Sequence, residues 1–245
     1  MRRLLGPALV CVAALSVACK EKPPPPVPRT GTPGRTGNAA IRGTVRFRGS
    51  LPAAPRIGRG SFAECARRPP RDKAVLVSAD GAVAEAFVWV KQGIPDGDYA
   101  IPADPVIIDQ RGCEFLPRVA AVRAGQPVAF RNDDQTLHNV HAIGTGSNRF
   151  NFGMPVTGME VTRQLTEPQV MATIACDVHP WMRAYLGVVR HPFFAVTGPD
   201  GKFALTGLPP GTYLVEAWQE AAGRVEQTVT VHDGEGATVD LTLGL

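Results

Sequence analysis

The sequence lacks a helical hydrophobic repeat, an apolar run long enough to span a membrane, and a strong net charge. No segment keeps a helical period beyond one or two turns, and 26 Gly and 23 Pro favour short strands joined by turns. A formal net charge of +4 is too small to indicate a nucleic-acid-binding protein. We therefore predict an all-β fold of the sandwich type, with 44% hydrophobic residues to build its core.

The N-terminus has the pattern of an export signal. Met1-Arg2-Arg3 is basic, and the apolar residues 4–17 are too few to cross a bilayer. Leu15-Ser16-Val17-Ala18-Cys19 resembles the lipobox of bacterial lipoproteins, which implies a signal over residues 1–19 and lipidation of Cys19. Cleavage by an ordinary signal peptidase, with Cys19 unmodified, is the alternative. We expect an exported protein on the periplasmic side, lipid-anchored to the outer membrane.

Residues 20–38 are rich in proline, glycine and basic residues, which predicts an extended linker. Charge is distributed unevenly along the chain. Residues 20–73 hold 13 basic and 3 acidic side chains, whereas residues 74–245 hold 11 basic and 19 acidic ones. A basic N-terminal segment ahead of an acidic folded part suits a protein that is tethered beside an anionic membrane. A solvated basic linker explains the same charge pattern equally well.

The five cysteines have an informative parity. Cys11 would leave with the signal and Cys19 is the candidate lipid site, so Cys65, Cys113 and Cys176 remain. Three thiols in an oxidising compartment leave at least one unpaired. Metal ligation by Cys176 would explain the unpaired thiol and allow a Cys65–Cys113 disulfide, with two free thiols as the alternative.

A short segment near residue 180 concentrates metal-ligand side chains. It reads Cys176-Asp177-Val178-His179-Pro180-Trp181-Met182 and lies between predicted strands 170–175 and 184–189, with His138 upstream on predicted strand 138–143. Two imidazoles, a thiolate and a thioether suit copper, because soft sulfur favours Cu(I) and imidazole accepts both oxidation states. Zinc is disfavoured because the sequence has no second Cys-x2-Cys or His pair.

The residues around both segments resemble the cupredoxin (blue copper) family, most closely its amicyanin members, over about residues 115–189. The resemblance implies a Greek-key β-sandwich and one type 1 copper ion, with the equatorial and axial ligands His138, Cys176, His179 and Met182. It also implies that Asn139 hydrogen-bonds between the two ligand segments. Asp177 departs from the family, which has a small hydroxyl residue there, and its carboxylate would lower the reduction potential.

The last fifty residues read as a second β unit. Residues 199–205 and 207–213 resemble the carboxypeptidase regulatory-like, or transthyretin-like, β-sandwich module. We place a copper domain at residues 39–192 and this module at residues 193–245. The resemblance covers only the module's second half, so strands 41–47 and 86–90 are candidates to complete it around an inserted copper domain.

These features favour an electron carrier over the other functions considered. A copper-binding, copper-sensing or copper-delivery lipoprotein without fast redox turnover is the alternative, and an adhesive β protein with a vestigial site is a third reading. The sequence has no Met- or His-rich tract of the kind that delivery proteins use. No second metal cluster or nucleophile–base pair indicates an enzyme. Pro180 and Trp181 are the expected docking surface for a redox protein partner.

Overall fold

The computed structural model describes residues 31–50, 58–59, 62–66 and 75–244. The expected signal over residues 1–19, including Cys19, lies outside the described residues. Within the described part of the chain, no helix has the length and apolar character needed to cross a membrane.

The regular secondary structure of the described residues is almost entirely β, which confirms the predicted all-β class. One short helix, α1 (Ala63–Ala66), and one 3-10 turn (Gly146–Asn148) interrupt the strands. The strands are β1 (Ala39–Arg48), β2 (Leu76–Val77), β3 (Val83–Ala84), β4 (Phe87–Gln92), β5 (Val106–Gln110), β6 (Phe115–Leu116), β7 (Val119–Arg123), β8 (Pro127–Asn132), β9 (His138–Ile143), β10 (Phe150–Met154), β11 (Met159–Gln164), β12 (Gln169–Ala175), β13 (Arg183–Val189), β14 (Phe194–Val196), β15 (Lys202–Leu208), β16 (Gly211–Gln219), β17 (Gly223–Val231), β18 (Gly236–Thr238) and β19 (Leu241–Gly244).

The first sandwich packs a five-stranded sheet, in the order β10-β9-β12-β13-β7, against a four-stranded sheet, in the order β11-β8-β5-β6. Its core contains Val140 and Leu186 from the first sheet with Ile108 and Phe130 from the second, all fully buried. Most neighbours are antiparallel, but β5 pairs with β8 and β7 pairs with β13 in parallel. Apolar residues at alternate positions thus meet between the two sheets.

The second sandwich combines strands from both ends of the described chain. One sheet has the order β15-β1-β18, with β19 also paired to β1, and the other has the order β14-β4-β16-β17. Ile41 of β1 pairs with Leu205, and Val88 of β4 pairs with Ala217. A boundary at residue 192 assigns β1 and β4 to the copper domain, whereas their partners belong to residues 193–245. This pairing favours the split arrangement, with the first sandwich inserted between β4 and β14.

A separate apolar cluster joins the two sandwiches. It buries Phe87 and Trp218 of the second sandwich against Val119, Tyr185 and Val189 of the first. The Tyr185 and Trp218 rings lie 5.2 Å apart. Buried aromatic contact of this kind holds the two units together without a covalent link beyond the chain itself.

Three local features differ from the sequence expectation. Residues 115–122 read in the sequence as a single strand, but they are divided into β6 and β7, because Pro117 has no N–H to donate and the chain changes sheets there. Strand β10 was not predicted. Part of the expected linker is hydrogen-bonded to the folded part of the chain, because the Gly34 and Gly37 amides donate to the carbonyls of Asp98 and Gly207.

Candidate metal centre

The candidate ligands are brought together by three strands of one sheet. His138 begins β9, Cys176 follows the end of β12, and Met182 precedes β13. Strands β9 and β12 are neighbours, and β12 and β13 form a hairpin, so both ligand segments lie at one end of the sheet. The loop is closed by hydrogen bonds from the Cys176 amide to the Met182 carbonyl (3.2 Å) and from the Met182 amide to the His179 carbonyl (2.9 Å).

Two imidazole nitrogens and one sulfur converge in the interior. Nδ1 of His138 lies 2.9 Å from Nδ1 of His179, and Sγ of Cys176 lies 3.7 Å from the same His179 nitrogen. The possible ligand atoms of all three residues fall within 4.8 Å of one another. The exposed fractions are 0% for both histidines, 2% for Cys176 and 1% for Met182. Met182 packs in the same core as Cys176.

Burial and hydrogen bonds shift the pKa values of Cys176 and His179. Burial alone would raise the pKa of the Cys176 thiol, but hydrogen bonds from His138 and from the amides of Asn139, His179 and Val178 lower it overall. Burial, together with the nearby His138, lowers the pKa of His179 to about 4. A lowered thiol pKa favours the thiolate, and a neutral imidazole is the metal-binding form.

Asp134 orients His138, and this residue was missed in the sequence. Its Oδ2 accepts a hydrogen bond from Nε2 of His138 (3.0 Å), and its two oxygens accept the successive amides of Gly112 (2.7 Å) and Cys113 (2.8 Å). Burial opposes ionisation of Asp134, but these hydrogen bonds lower its pKa overall. Because Nε2 of His138 is hydrogen-bonded to Asp134, Nδ1, which faces His179, is the ring nitrogen left to bind a metal ion.

Asn139 links the two ligand segments. Its Oδ1 accepts the Asp177 amide (2.6 Å), and its Nδ2 donates to Asp177 Oδ2 (3.0 Å) and Asn151 Oδ1 (2.8 Å). The other oxygen of Asp177 bonds Nδ1 of His141 at 2.8 Å. Hydrogen bonds from His141, Asn151 and Asn139 outweigh the small effect of burial and lower the pKa of Asp177. Asp177 therefore adds a fixed negative charge beside Cys176.

The Cys65–Cys113 disulfide is present in the structure, with an S–S distance of 2.06 Å. Cys113 also receives a hydrogen bond at its carbonyl from Nε1 of Trp181 (3.0 Å). The Arg59 guanidinium lies 5.5 Å from the Trp181 ring centre, and Phe62 lies at the same distance on another side. Trp181 is therefore half-buried under this segment, while Pro180 is exposed.

The two Nδ1 atoms and the free thiol of Cys176 are the groups that a metal ion would bind. Two Nδ1 atoms 2.9 Å apart can share one hydrogen, or a metal ion can bind both in its place. Nε2 of His179 is buried and has no hydrogen-bond partner among the described residues. An unpaired buried group of this kind costs about 1–3 kcal/mol. Cys176 is also the one free cysteine of the described chain.

Comparison with solved structures returns copper proteins. A copper-containing nitrite reductase from Thermus scotoductus is 24% identical, with 40% of this chain and 25% of that chain covered and a TM-score of 0.31. A purple cupredoxin from Nitrosopumilus maritimus is 21% identical over 34% of this chain and 98% of that chain, with a TM-score of 0.30. The Cu(I) form of an amicyanin variant is 20% identical over 42% and 98%, with a TM-score of 0.31. This chain thus spans a quarter of the length of the nitrite reductase.

Comparison of the sequence alone gives two results. No curated protein matches the chain. Residues 187–244 match the model of the carboxypeptidase regulatory-like domain, which confirms the resemblance stated for the last strands.

Proposed function

We propose that this chain is an exported type 1 copper protein that binds one copper ion through His138, Cys176, His179 and Met182 and transfers single electrons. The observation that carries the proposal is the meeting of two buried Nδ1 atoms with the Cys176 sulfur at 2.9 and 3.7 Å. When bound, copper would supply the interconversion of Cu(I) and Cu(II), which this mixed nitrogen and sulfur donor set tolerates in both states.

The donor set favours copper over zinc. Structural zinc sites take four strong donors from thiolate, imidazole or carboxylate groups, and a thioether is not among them. The two other donor groupings of the described residues both use Cys113, whose sulfur is bonded to Cys65 and cannot act as a thiolate. Cys176 is thus the one thiolate that the described chain can offer.

The surrounding residues would keep the site rigid and dry. Asp134 holds the His138 ring, Asn139 fixes the start of the Cys176 loop, and backbone hydrogen bonds close that loop. Little rearrangement of ligands is then needed when the charge of the site changes, which is the requirement for rapid electron transfer. Burial also disfavours a delivery role, because delivery requires incoming ligands to reach the ion.

The remaining parts of the proposal concern location and partner. The lipobox resemblance and Cys19 support export and a lipid anchor on the periplasmic face of the outer membrane. The exposed Pro180 and the half-buried Trp181 support a partner that docks at this end of the first sandwich. Docking of a redox protein needs only a small, weakly bound interface. We assign no catalytic step to the chain.

The direct test of the ligand set is the visible spectrum of the protein loaded with Cu(II). We expect an intense thiolate-to-copper charge-transfer band, with one copper ion bound per chain. Cys176→Ser should abolish the band, because a hydroxyl does not form the covalent thiolate bond. The paired substitution Cys65→Ala with Cys113→Ala is the matched control and should retain it. A colourless wild-type complex would refute the proposal.

A further inference from the structure

A cap formed by Phe62 and the Cys65–Cys113 disulfide covers His179. The Phe62 ring centre lies 4.6 Å from the His179 ring centre, with the rings inclined at 65°. Both sulfurs of the disulfide lie within 4.8 Å of a His179 ring nitrogen. With Trp181 at 5.2 Å from the same imidazole, no part of His179 reaches solvent.

The disulfide and two hydrogen bonds of Arg59 attach the cap to the first sandwich. The disulfide joins Cys65 of α1 to the turn between β5 and β6. Arg59 is buried and bonds the Gly112 carbonyl (3.2 Å) and Glu114 (3.1 Å), on either side of Cys113. The Phe62 amide donates in turn to the Arg59 carbonyl (3.0 Å). Arg59 and residues 62–66 therefore add to the first sandwich, and their attachment points all surround Cys113.

The same turn also contacts both ligand segments. Asp134 binds the Gly112 and Cys113 amides while it orients His138, and Trp181 of the ligand loop donates to the Cys113 carbonyl. The position of the cap is thus fixed relative to His138 and His179.

Nε2 is the ring nitrogen of His179 that has no hydrogen-bond partner in the described part of the chain. It is buried without a partner among the described residues, although a ring nitrogen at a surface would be hydrated. An aromatic ring and a disulfide offer it no strong hydrogen bond, so water has been excluded without being replaced. This is a feature of a closed access route rather than of an optimised polar contact.

We propose that the cap is a specificity-determining element that keeps water and small hydrophilic ligands from the His179 edge of the site. This inference rests on the proposed copper function for its purpose, but its geometry concerns only the protein. A redox partner that docks here meets Phe62 and Trp181 rather than the imidazole itself. Small anions and chelators, which act by direct coordination, are excluded.

The metal-free full-length mature protein allows a test that does not depend on copper. Both ring nitrogens of His138 and Nδ1 of His179 have hydrogen-bond partners, so Nε2 is the nitrogen at which neutral His179 would present a lone pair to a reagent. Diethyl pyrocarbonate attacks that lone pair in an accessible histidine, and peptide mass spectrometry gives a rate for each site. Exposed His232 and buried His191 serve as internal fast and slow references.

The variants separate the cap from general loosening of the fold. We expect wild-type His179 to be labelled at least tenfold more slowly than His232. Phe62→Ala, and separately the paired substitution Cys65→Ala with Cys113→Ala, should speed His179 labelling about tenfold while His191 stays protected. Phe194→Ala, a half-buried phenylalanine of β14, is the control and should change nothing at His179.

Two results would overturn the proposal. One is fast labelling of His179 in the wild-type protein, and the other is unchanged protection in Phe62→Ala with His191 still protected. If His191 also loses protection, the variant is unfolded and the wild-type rate alone decides. In the copper-loaded protein, azide should bind at least tenfold more tightly to Phe62→Ala than to wild type. Failure to load copper would count against the proposed function while leaving the labelling result intact.

Discussion

At the scale of single residues, the site depends on side chains that fix charge and orientation around the ligands. His138, Cys176, His179 and Met182 could be chosen from the sequence because their spacing is a known ligand pattern. Asp134 could not, because its role depends on a turn that places its carboxylate against the Gly112 and Cys113 amides. Its signal in the sequence is only a position four residues before His138.

Asp177 provides a prediction about the reduction potential. The negative charge of Asp177 beside Cys176 stabilises Cu(II) relative to Cu(I). Asp177→Asn keeps the size of the side chain but removes that charge. We expect the potential to rise modestly, because solvent screens the charge of an exposed side chain. Voltammetry of the copper-loaded protein measures it, with exposed Asp200→Asn as the control. A potential that stays constant or falls would show that Asp177 does not set it.

At the scale of elements, the strands that hold the ligands were more predictable than those that surround them. Strand β9 has the predicted bounds, and β12 and β13 differ from prediction by one residue at their first positions. Strand β10 was missed because Asn151 and Gly153 disfavour a strand, and it forms only by pairing with β9. The Cys65–Cys113 disulfide was predicted from the number of cysteines, but the packing of Phe62 on His179 was not, because that contact forms only in the folded chain.

The disulfide of the cap provides a stability prediction. It closes a sequence separation of 48 residues, so the chain-entropy model gives it a contribution of about 4 kcal/mol. The paired substitution Cys65→Ala with Cys113→Ala should lower the free energy of unfolding in urea by roughly that amount. Cys176→Ser, which breaks no disulfide, is the control. A loss below about 1 kcal/mol would show that the unfolded chain gains little freedom from the missing cross-link.

At the scale of the whole molecule, the described strands pair into two sandwiches, and β1 and β4 pair with strands that follow the first sandwich in the sequence. The sequence indicated both units but gave no clear boundary between them. The reason is that β1 and β4 pair with β15 and β16, which lie more than 100 residues later in the sequence. The contact between the two sandwiches could not be predicted either, because it depends on how the folded units pack. A Cβ on Gly187 would lie 2.8 Å from the Phe87 ring, so glycine is required where the two units touch.

His191 provides a prediction about acid stability near this junction. It is buried between Trp89 and Phe193, and burial lowers its pKa to about 4. The folded state therefore favours neutral His191, and its contribution is complete above the unfolded pKa of about 6.5 and declines as the pH falls toward 4. Between pH 7.5 and pH 5 this histidine should account for a loss of about 2 kcal/mol in the free energy of unfolding.

The variant His191→Phe isolates that contribution. It removes the titrating group, so the difference in unfolding free energy between pH 7.5 and pH 5 should shrink by about 2 kcal/mol relative to wild type. His232→Phe, at an exposed position, is the control and should leave the pH dependence unchanged. Equal pH dependence in wild type and His191→Phe would mean that His191 is accessible to protons in the folded protein.

The most direct test of the central claim is a redox titration of the copper-loaded protein followed by its visible spectrum. We predict that the thiolate-to-copper band disappears on addition of one electron per copper ion. It should return in full on reoxidation, without release of the ion. A copper complex that lacks the band, or one that loses its copper on reduction, would contradict an electron carrier built on His138, Cys176, His179 and Met182.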